Sequence, residues 1–217
     1  MKRILHFFKL KLVLSGLLLS LASAVYANSG DVVFQEDFAD TVAFKKWTIV
    51  DNNGGRSWEF LNGAASYMLD YQTNLPADDW IISPSFLLDK TKVYEVSFSL
   101  GIASKTENLR VALGTSTDPK TFTTILADYP NVVNSDSGEK KIKFYIQDSG
   151  GFRLGFYAYS EANMHRIDID NVKITEVSSK VVPGLVTNLN VVPGNNGEMK
   201  SSVSFNAPKV TAGDDVL

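Results

Sequence analysis

Cysteine is missing from all 217 residues, which rules out disulfides, thiolate metal sites and a cysteine nucleophile. Histidine is nearly missing: beyond the first 27 residues only His165 remains. It lies in a polar stretch, Glu161-Ala-Asn-Met-His-Arg, with no nucleophile-elbow motif nearby. Apolar runs are short. The longest, Leu12–Leu21, is broken by Ser15, Gly16 and Ser20 and falls below the roughly 20 residues of a membrane span. Helical periodicity is scarce, with one helical turn predicted near Ala39–Lys46. No glycine-rich phosphate loop leads from a strand into a helix, which argues against nucleotide binding. Catalysis finds little footing in what remains. Asp78 and Asp79 are neighbours, and in an extended strand they face opposite ways, so they do not form a glycosidase pair.

What is present begins with a secretory pattern. Lys2, Arg3, Lys9 and Lys11 precede the apolar run, and Val25-Tyr26-Ala27 supplies cleavage positions. Cleavage is predicted after Ala27, and with no cysteine following it the chain is not a lipoprotein. The whole chain has 21 basic and 24 acidic side chains. Residues 1–27 hold four of the basic ones and none of the acidic, which leaves 17 against 24, a net charge of −7. That balance disfavours nucleic acid and anionic membrane surfaces and suits cations and neutral ligands. With 44% hydrophobic and 11% aromatic residues there is material for a sizeable core. A secreted chain without disulfides needs another staple, and a bound ion is one.

From Asn28 to Val177 short β runs alternate with turn clusters. Strands are predicted at Val32–Phe34, Trp47–Val50, Trp58–Phe60, Tyr67–Leu69, Trp80–Ser83, Val93–Gly101, Leu109–Gly114, Thr123–Leu126, Lys140–Ile146, Phe152–Ala158 and Arg166–Glu176. Turns fall at Asn52-Asn53-Gly54-Gly55, Ser135-Asp136-Ser137-Gly138 and Asp148-Ser149-Gly150-Gly151. Many short strands without βαβ spacing predict an all-β fold, an antiparallel two-sheet jelly-roll sandwich. In the last of these strands Ile167 and Ile169 fall out of phase with Val172 and Ile174. A β-bulge at Asp170-Asn171 returns both pairs to the core.

Three sets of side chains bear on binding. Phe152, Leu154, Phe156 and Ala158 share one strand face, with Arg153, Gly155, Tyr157 and Tyr159 on the other. That second face either meets a flat ligand or lies under an opposing loop. Trp47, Trp58 and Trp80 either form a sugar platform or, as their apolar surroundings favour, enter the core. Glu36, Asp37, Asp79 and Asp170 offer the hard oxygens calcium needs if the first strand pairs near the last. Otherwise they are solvated acids and caps.

After Val177 a linker, 178–185, leads to two further β runs around Pro193-Gly194-Asn195-Asn196-Gly197. Residues 186–217 are too few to close a second sandwich. The chain is therefore expected to be the N-terminal part of a longer polypeptide.

The ordered series Glu36-Asp37-Phe38, Trp47-Thr48-Ile49-Val50-Asp51, Trp58-Glu59-Phe60, Ala77-Asp78-Asp79-Trp80-Ile81-Ile82-Ser83-Pro84 and Ile169-Asp170-Asn171-Val172-Lys173-Ile174 resembles the cleaved-adhesin or choice-of-anchor J jelly rolls of secreted Bacteroidetes proteins. Those include the adhesin modules of gingipains and are distantly similar to MAM domains. Val186–Leu217 resembles the opening of a fibronectin type III domain, with Phe205 where that fold often has a core tryptophan. The resemblance implies a non-catalytic extracellular or cell-surface module for adhesion, whose partner is a glycan or a host or matrix protein. It also implies structural calcium near the first and last strands, at positions matching Glu36, Asp37, Asp170 and Asn171. The loop Asp51-Asn52-Asn53-Gly54-Gly55 is less acidic than its counterpart in relatives, which weakens the case for a second calcium there. An accessory domain of a larger hydrolase and a structural spacer are the rival readings.

Overall fold

A computed structural model describes residues 30–68, 72–179, 187–193 and 201–206. The predicted signal peptide, most of the linker and the turn at 194–200 lie outside them. In chain order the strands are β1 (Val32–Glu36), β2 (Thr48–Asp51), β3 (Trp58–Leu61), β4 (Ala64–Met68), β5 (Asp79–Ile82), β6 (Phe86–Leu88), β7 (Lys92–Ile102), β8 (Glu107–Gly114), β9 (Thr124–Val132), β10 (Gly138–Phe144), β11 (Gly150–Ala158), β12 (Arg166–Ser179), β13 (Thr187–Pro193) and β14 (Ser201–Asn206). The predicted helical turn is α1 (Thr41–Phe44), started by Asp40, whose Oδ1 accepts from Val42 N and Ala43 N at 2.8 Å.

Two antiparallel sheets stack as the jelly roll predicted. Sheet A runs β10-β7-β12-β4-β3 and sheet B runs β2-β5-β11-β8-β9. Each has one long central strand whose second neighbour changes partway. In sheet A, β12 lies against β7 throughout, while its other side meets β4 at Arg166–Ile169 and β1 at Val172–Thr175. In sheet B, β11 meets β8 on one side, and on the other β6 at Gly150–Phe152 and β5 at Gly155–Ala158.

The two changeovers are built differently. In β12 it is the bulge: the register slips between Asp170 and Lys173, and Asn171 takes a left-handed φ of 50°. Asparagine tolerates that region better than a branched residue. The slip leaves Ile167, Ile169, Val172 and Ile174 all buried, as their spacing predicted. In sheet B, Ser83-Pro84-Ser85 steps from β5 to β6. Proline has no N–H for the ladder, and Ser83 stitches the gap: its N–H donates to Leu154 O (2.8 Å) and its Oγ accepts from Leu154 N (2.9 Å).

β6 is absent from the predicted set because three residues after a proline carry no readable alternation. β9 extends beyond the predicted Leu126 to Val132, through Pro130. As a sheet edge it has a side free of ladder bonds, where proline is tolerated.

The inner faces fill one core. β7 contributes Tyr94, Val96, Phe98, Leu100 and Ile102; β8 gives Leu109, Val111 and Leu113; β11 gives Leu154, Phe156 and Ala158. Trp47 and Trp58 join this core, as their apolar surroundings predicted. Trp80 does not. With Ile82, Ala112 and Phe122 it forms a second, smaller cluster. β13 and β14 pair as a two-stranded sheet.

Candidate functional site

Strand alternation sends Asp79 and Ile81 inward and Trp80 outward, and the same rule turns Tyr157 and Arg110 to the outer side of sheet B. The register then lines them up. Val50 lies opposite Trp80, Trp80 opposite Tyr157, Tyr157 opposite Arg110, and Arg110 opposite Asp128. This is one continuous row across β2, β5, β11, β8 and β9, about 19 Å long at the usual strand spacing. Tyr159 stands beside it, two residues on from Tyr157.

The row is stacked. Trp80 and Tyr157 are nearly parallel at 4.7 Å, and Tyr157 and Tyr159 at 5.5 Å. The Arg110 guanidinium lies 5.2 Å from the Tyr159 ring centre. On its other side Trp80 meets Phe122 at 4.9 Å. Phe122 arrives at the end of a 3₁₀ turn (Pro119–Thr121) and presses onto two glycines: a Cβ on Gly114 would come within 2.7 Å of its ring, and one on Gly155 within 2.6 Å. Stacking sets the rings of Trp80, Tyr157 and Tyr159 face against face.

Each hydroxyl is anchored. Tyr157 Oη donates to Asp78 Oδ1 at 2.9 Å, which also accepts from Asn52 Nδ2 at 2.9 Å. Tyr159 Oη donates to Asp128 Oδ1 at 2.6 Å, and Arg110 Nη2 donates to Asp128 Oδ2 at 2.9 Å. Burial pushes both phenols up to about 12, helped by the carboxylates they donate to. Burial works against Asp128, yet Arg110 and Tyr159 hold its carboxyl below the ordinary range.

Both readings of the Tyr157 face hold in part: a loop covers Gly155, while Tyr157 and Tyr159 stay half-exposed. Arg153 is placed elsewhere. Its Nη1 donates to Ser83 O at 2.8 Å and braces the crossing from β5 to β6. Asp78 and Asp128 were not singled out from sequence as binding residues. Only the cross-strand register reveals Asp128 beside Arg110.

The expected metal donors divide. Asp170 is raised by burial and then by the charge of Asp37, and is opposed by the Asn171 N–H it accepts. Asn171 Nδ2 donates to Asp170 Oδ2 at 3.0 Å. Glu36 Oε1 accepts from Phe38 N at 2.9 Å. Asp79 belongs to a different group: it sits in sheet B opposite Asp51, fully buried. Burial pushes it up to about 6, reinforced by the charges of Asp51 and Asp78 and opposed by Ser57 and the Asp78 N–H. Among the described residues no three His, Asp or Glu side chains converge as a metal centre.

His165 Nδ1 lies 3.1 Å from Ser104 Oγ. The nearby buried acid Glu107 accepts from the His165 main-chain N–H at 2.5 Å, so it orients the backbone and does not orient the imidazole as a catalytic triad requires. No helix among the described residues is long and apolar enough to cross a membrane.

No family model matches the sequence, and no curated protein matches it. Solved structures do match the fold. The K3 cleaved adhesin domain of Lys-gingipain from Porphyromonas gingivalis aligns at 16% identity and a TM-score of 0.52, covering 67% of this chain and 99% of that domain. The K1 cleaved adhesin domain of the same protein aligns at 20% identity and 0.51, covering 67% and 98%. A xylan-binding CBM22-1 domain from Paenibacillus barcinonensis aligns at 14% and 0.46, covering 70% and 98%. The chain shares the jelly-roll architecture of the cleaved adhesin domains.

Proposed function

We propose that this protein is a secreted, non-catalytic binding module that engages carbohydrate through the outer face of sheet B. The observation that carries the reading is the row Trp80–Tyr157–Arg110–Asp128 with Tyr159 and Asp78 beside it. Pre-stacked rings lose little freedom when a ligand settles on them. Carboxylates and phenol oxygens fixed by their own partners offer aligned acceptors to sugar hydroxyls. The surface is an open strip and suits an extended chain. The adhesin fold and the predicted signal peptide support an extracellular setting.

The test is retention on polysaccharide columns and a glycan array. Tyr159→Ala and Arg110→Ala are each expected to weaken binding about tenfold or more while leaving the unfolding midpoint nearly unchanged. Absence of binding to any glycan rejects the reading and favours the spacer.

We also propose a structural calcium at the bulge. Asp37 and Asp170 would hold it, with the Asn171 amide oxygen as a further donor. A carboxyl raised by burial and by the charge of another acid is what a cation relieves. The rest of a shell of about six to eight oxygens would be carbonyls and water. Excess chelator is expected to lower the unfolding midpoint by several degrees, and Asp170→Ala to abolish the difference. Identical curves with and without chelator remove calcium from the account.

A further inference from the structure

We infer that the ligand of this face is an uncharged glycan chain, recognised through the hydroxyl donors it brings. The inference rests on the carbohydrate reading above and narrows it to one class. Along the strip the phenols, Asn52 and Arg110 all donate to carboxylates of the protein, and Arg110 Nε, which has no partner, is shut off from solvent. Tyr157 Oη and Asn52 Nδ2 donate to Asp78, and Tyr159 Oη and Arg110 Nη2 donate to Asp128. Farther along the face, Arg153 is turned to the Ser83 carbonyl. What stays outward is a set of acceptors: the remaining lone pairs of two carboxylates and two phenol oxygens. Both phenols keep their protons at any ordinary pH, so both continue to donate inward and accept outward.

The charge balance points the same way. Arg110 is paired with Asp128 and lies against the Tyr159 ring, so its positive charge is answered inside the protein. Asp78 is held by two neutral donors, Tyr157 and Asn52. A uronate, sialate or sulfate on the ligand meets two carboxylates with no uncommitted guanidinium between them, and like charges brought together disfavour binding. A neutral sugar hydroxyl meets an acceptor already aligned for it. The mature chain's charge of −7 adds long-range repulsion of polyanions.

The experiment uses the full secreted chain and two probe sets: xylan, mixed-linkage β-glucan and mannan as neutral chains, and hyaluronan, polygalacturonate and heparin as anionic ones. The expected result is retention on at least one neutral probe and none on the anionic set, unchanged between about 0.05 and 0.5 M salt because no ion pair with the ligand is screened. Asp78→Asn weakens neutral binding about tenfold. Asp128→Asn, which leaves Arg110 without its partner, gains at least severalfold retention on hyaluronan. Salt-sensitive binding of the parent protein to anionic probes in preference to neutral ones overturns the inference and leaves the carbohydrate reading standing. Retention on neither set removes both.

Discussion

Gly155→Ala lowers the unfolding midpoint by about 2–12 °C, although it adds a single methyl group to an outward-facing position. A Cβ there would stand 2.6 Å from Phe122 Cε1 and 3.0 Å from Trp80 Cε3. Phe122 has no room to slide, because Gly114 admits its ring on the same terms, at 2.7 Å. The ring must leave, uncovering Trp80 and opening the outer cluster. Overpacking of this kind costs about 1–3 kcal/mol, and in a chain of this size each kcal/mol moves the midpoint by roughly 2–4 °C. The diagnostic is a double-mutant cycle. In a Phe122→Ala background the same Gly155→Ala change is expected to be nearly neutral, because the Phe122 clash has gone, Trp80 at 3.0 Å can shift into the vacated space, and alanine suits a strand interior better than glycine. Thermal unfolding of the four proteins decides it. Additive losses would show that the glycine is needed for some other reason.

Asp79→Asn makes the protein more stable at pH 7 and leaves it unchanged near pH 4. Burial lifts the Asp79 carboxyl from 3.8 to about 6 in the folded chain. The native state therefore binds this proton more tightly than the unfolded chain does. Its contribution is fully present below about pH 4 and fades as the pH rises through 6, a difference of about 3 kcal/mol. Asparagine has nearly the same shape and no charge to desolvate. The gap in midpoint between variant and parent is expected to open between pH 4 and 7 and then level off. Glu107 is buried and raised in the same direction, so Glu107→Gln gives a second increment of the same sign. A gap that is constant with pH, or a variant less stable at pH 7, contradicts the account.

Much of the fold was legible because strand alternation survives in the letters. Val93–Gly101 alternates cleanly, and the observed strand runs Lys92–Ile102 with every second residue buried. The phase slip at Asp170-Asn171 was legible because two apolar pairs fell out of step, which only an inserted residue repairs. Partnership was not. That Tyr157 sits between Trp80 and Arg110 is a fact about three strands far apart in the chain, and no local pattern records register. Trp47, Trp58 and Trp80 look alike as apolar-run tryptophans. The first two entered the main core and the third the outer cluster, because Phe122 folds over the outer face and hides what alternation alone would leave exposed. The candidate site was half legible. Tyr157 and Tyr159 were identifiable from the outward face of one strand, whereas Asp78 and Asp128 became visible only once the sheet was assembled. Arg153 shares that face and is drawn off by a carbonyl that only the crossing from β5 to β6 brings near.

The long strands at the centre of each sheet are also the last two strands of the sandwich to be synthesised. Without β11 and β12, sheet A reduces to the β10–β7 and β3–β4 ribbons with β1 alone, and sheet B to β2–β5 and β8–β9 with β6 alone. Isolated two-stranded ribbons are marginal in water. A nascent chain ending before residue 150 thus has nothing to commit to, and assembly awaits contacts that span most of the sequence. Refolding should accordingly be slow and concerted for a sandwich of this size, with no stable half-molecule on the way.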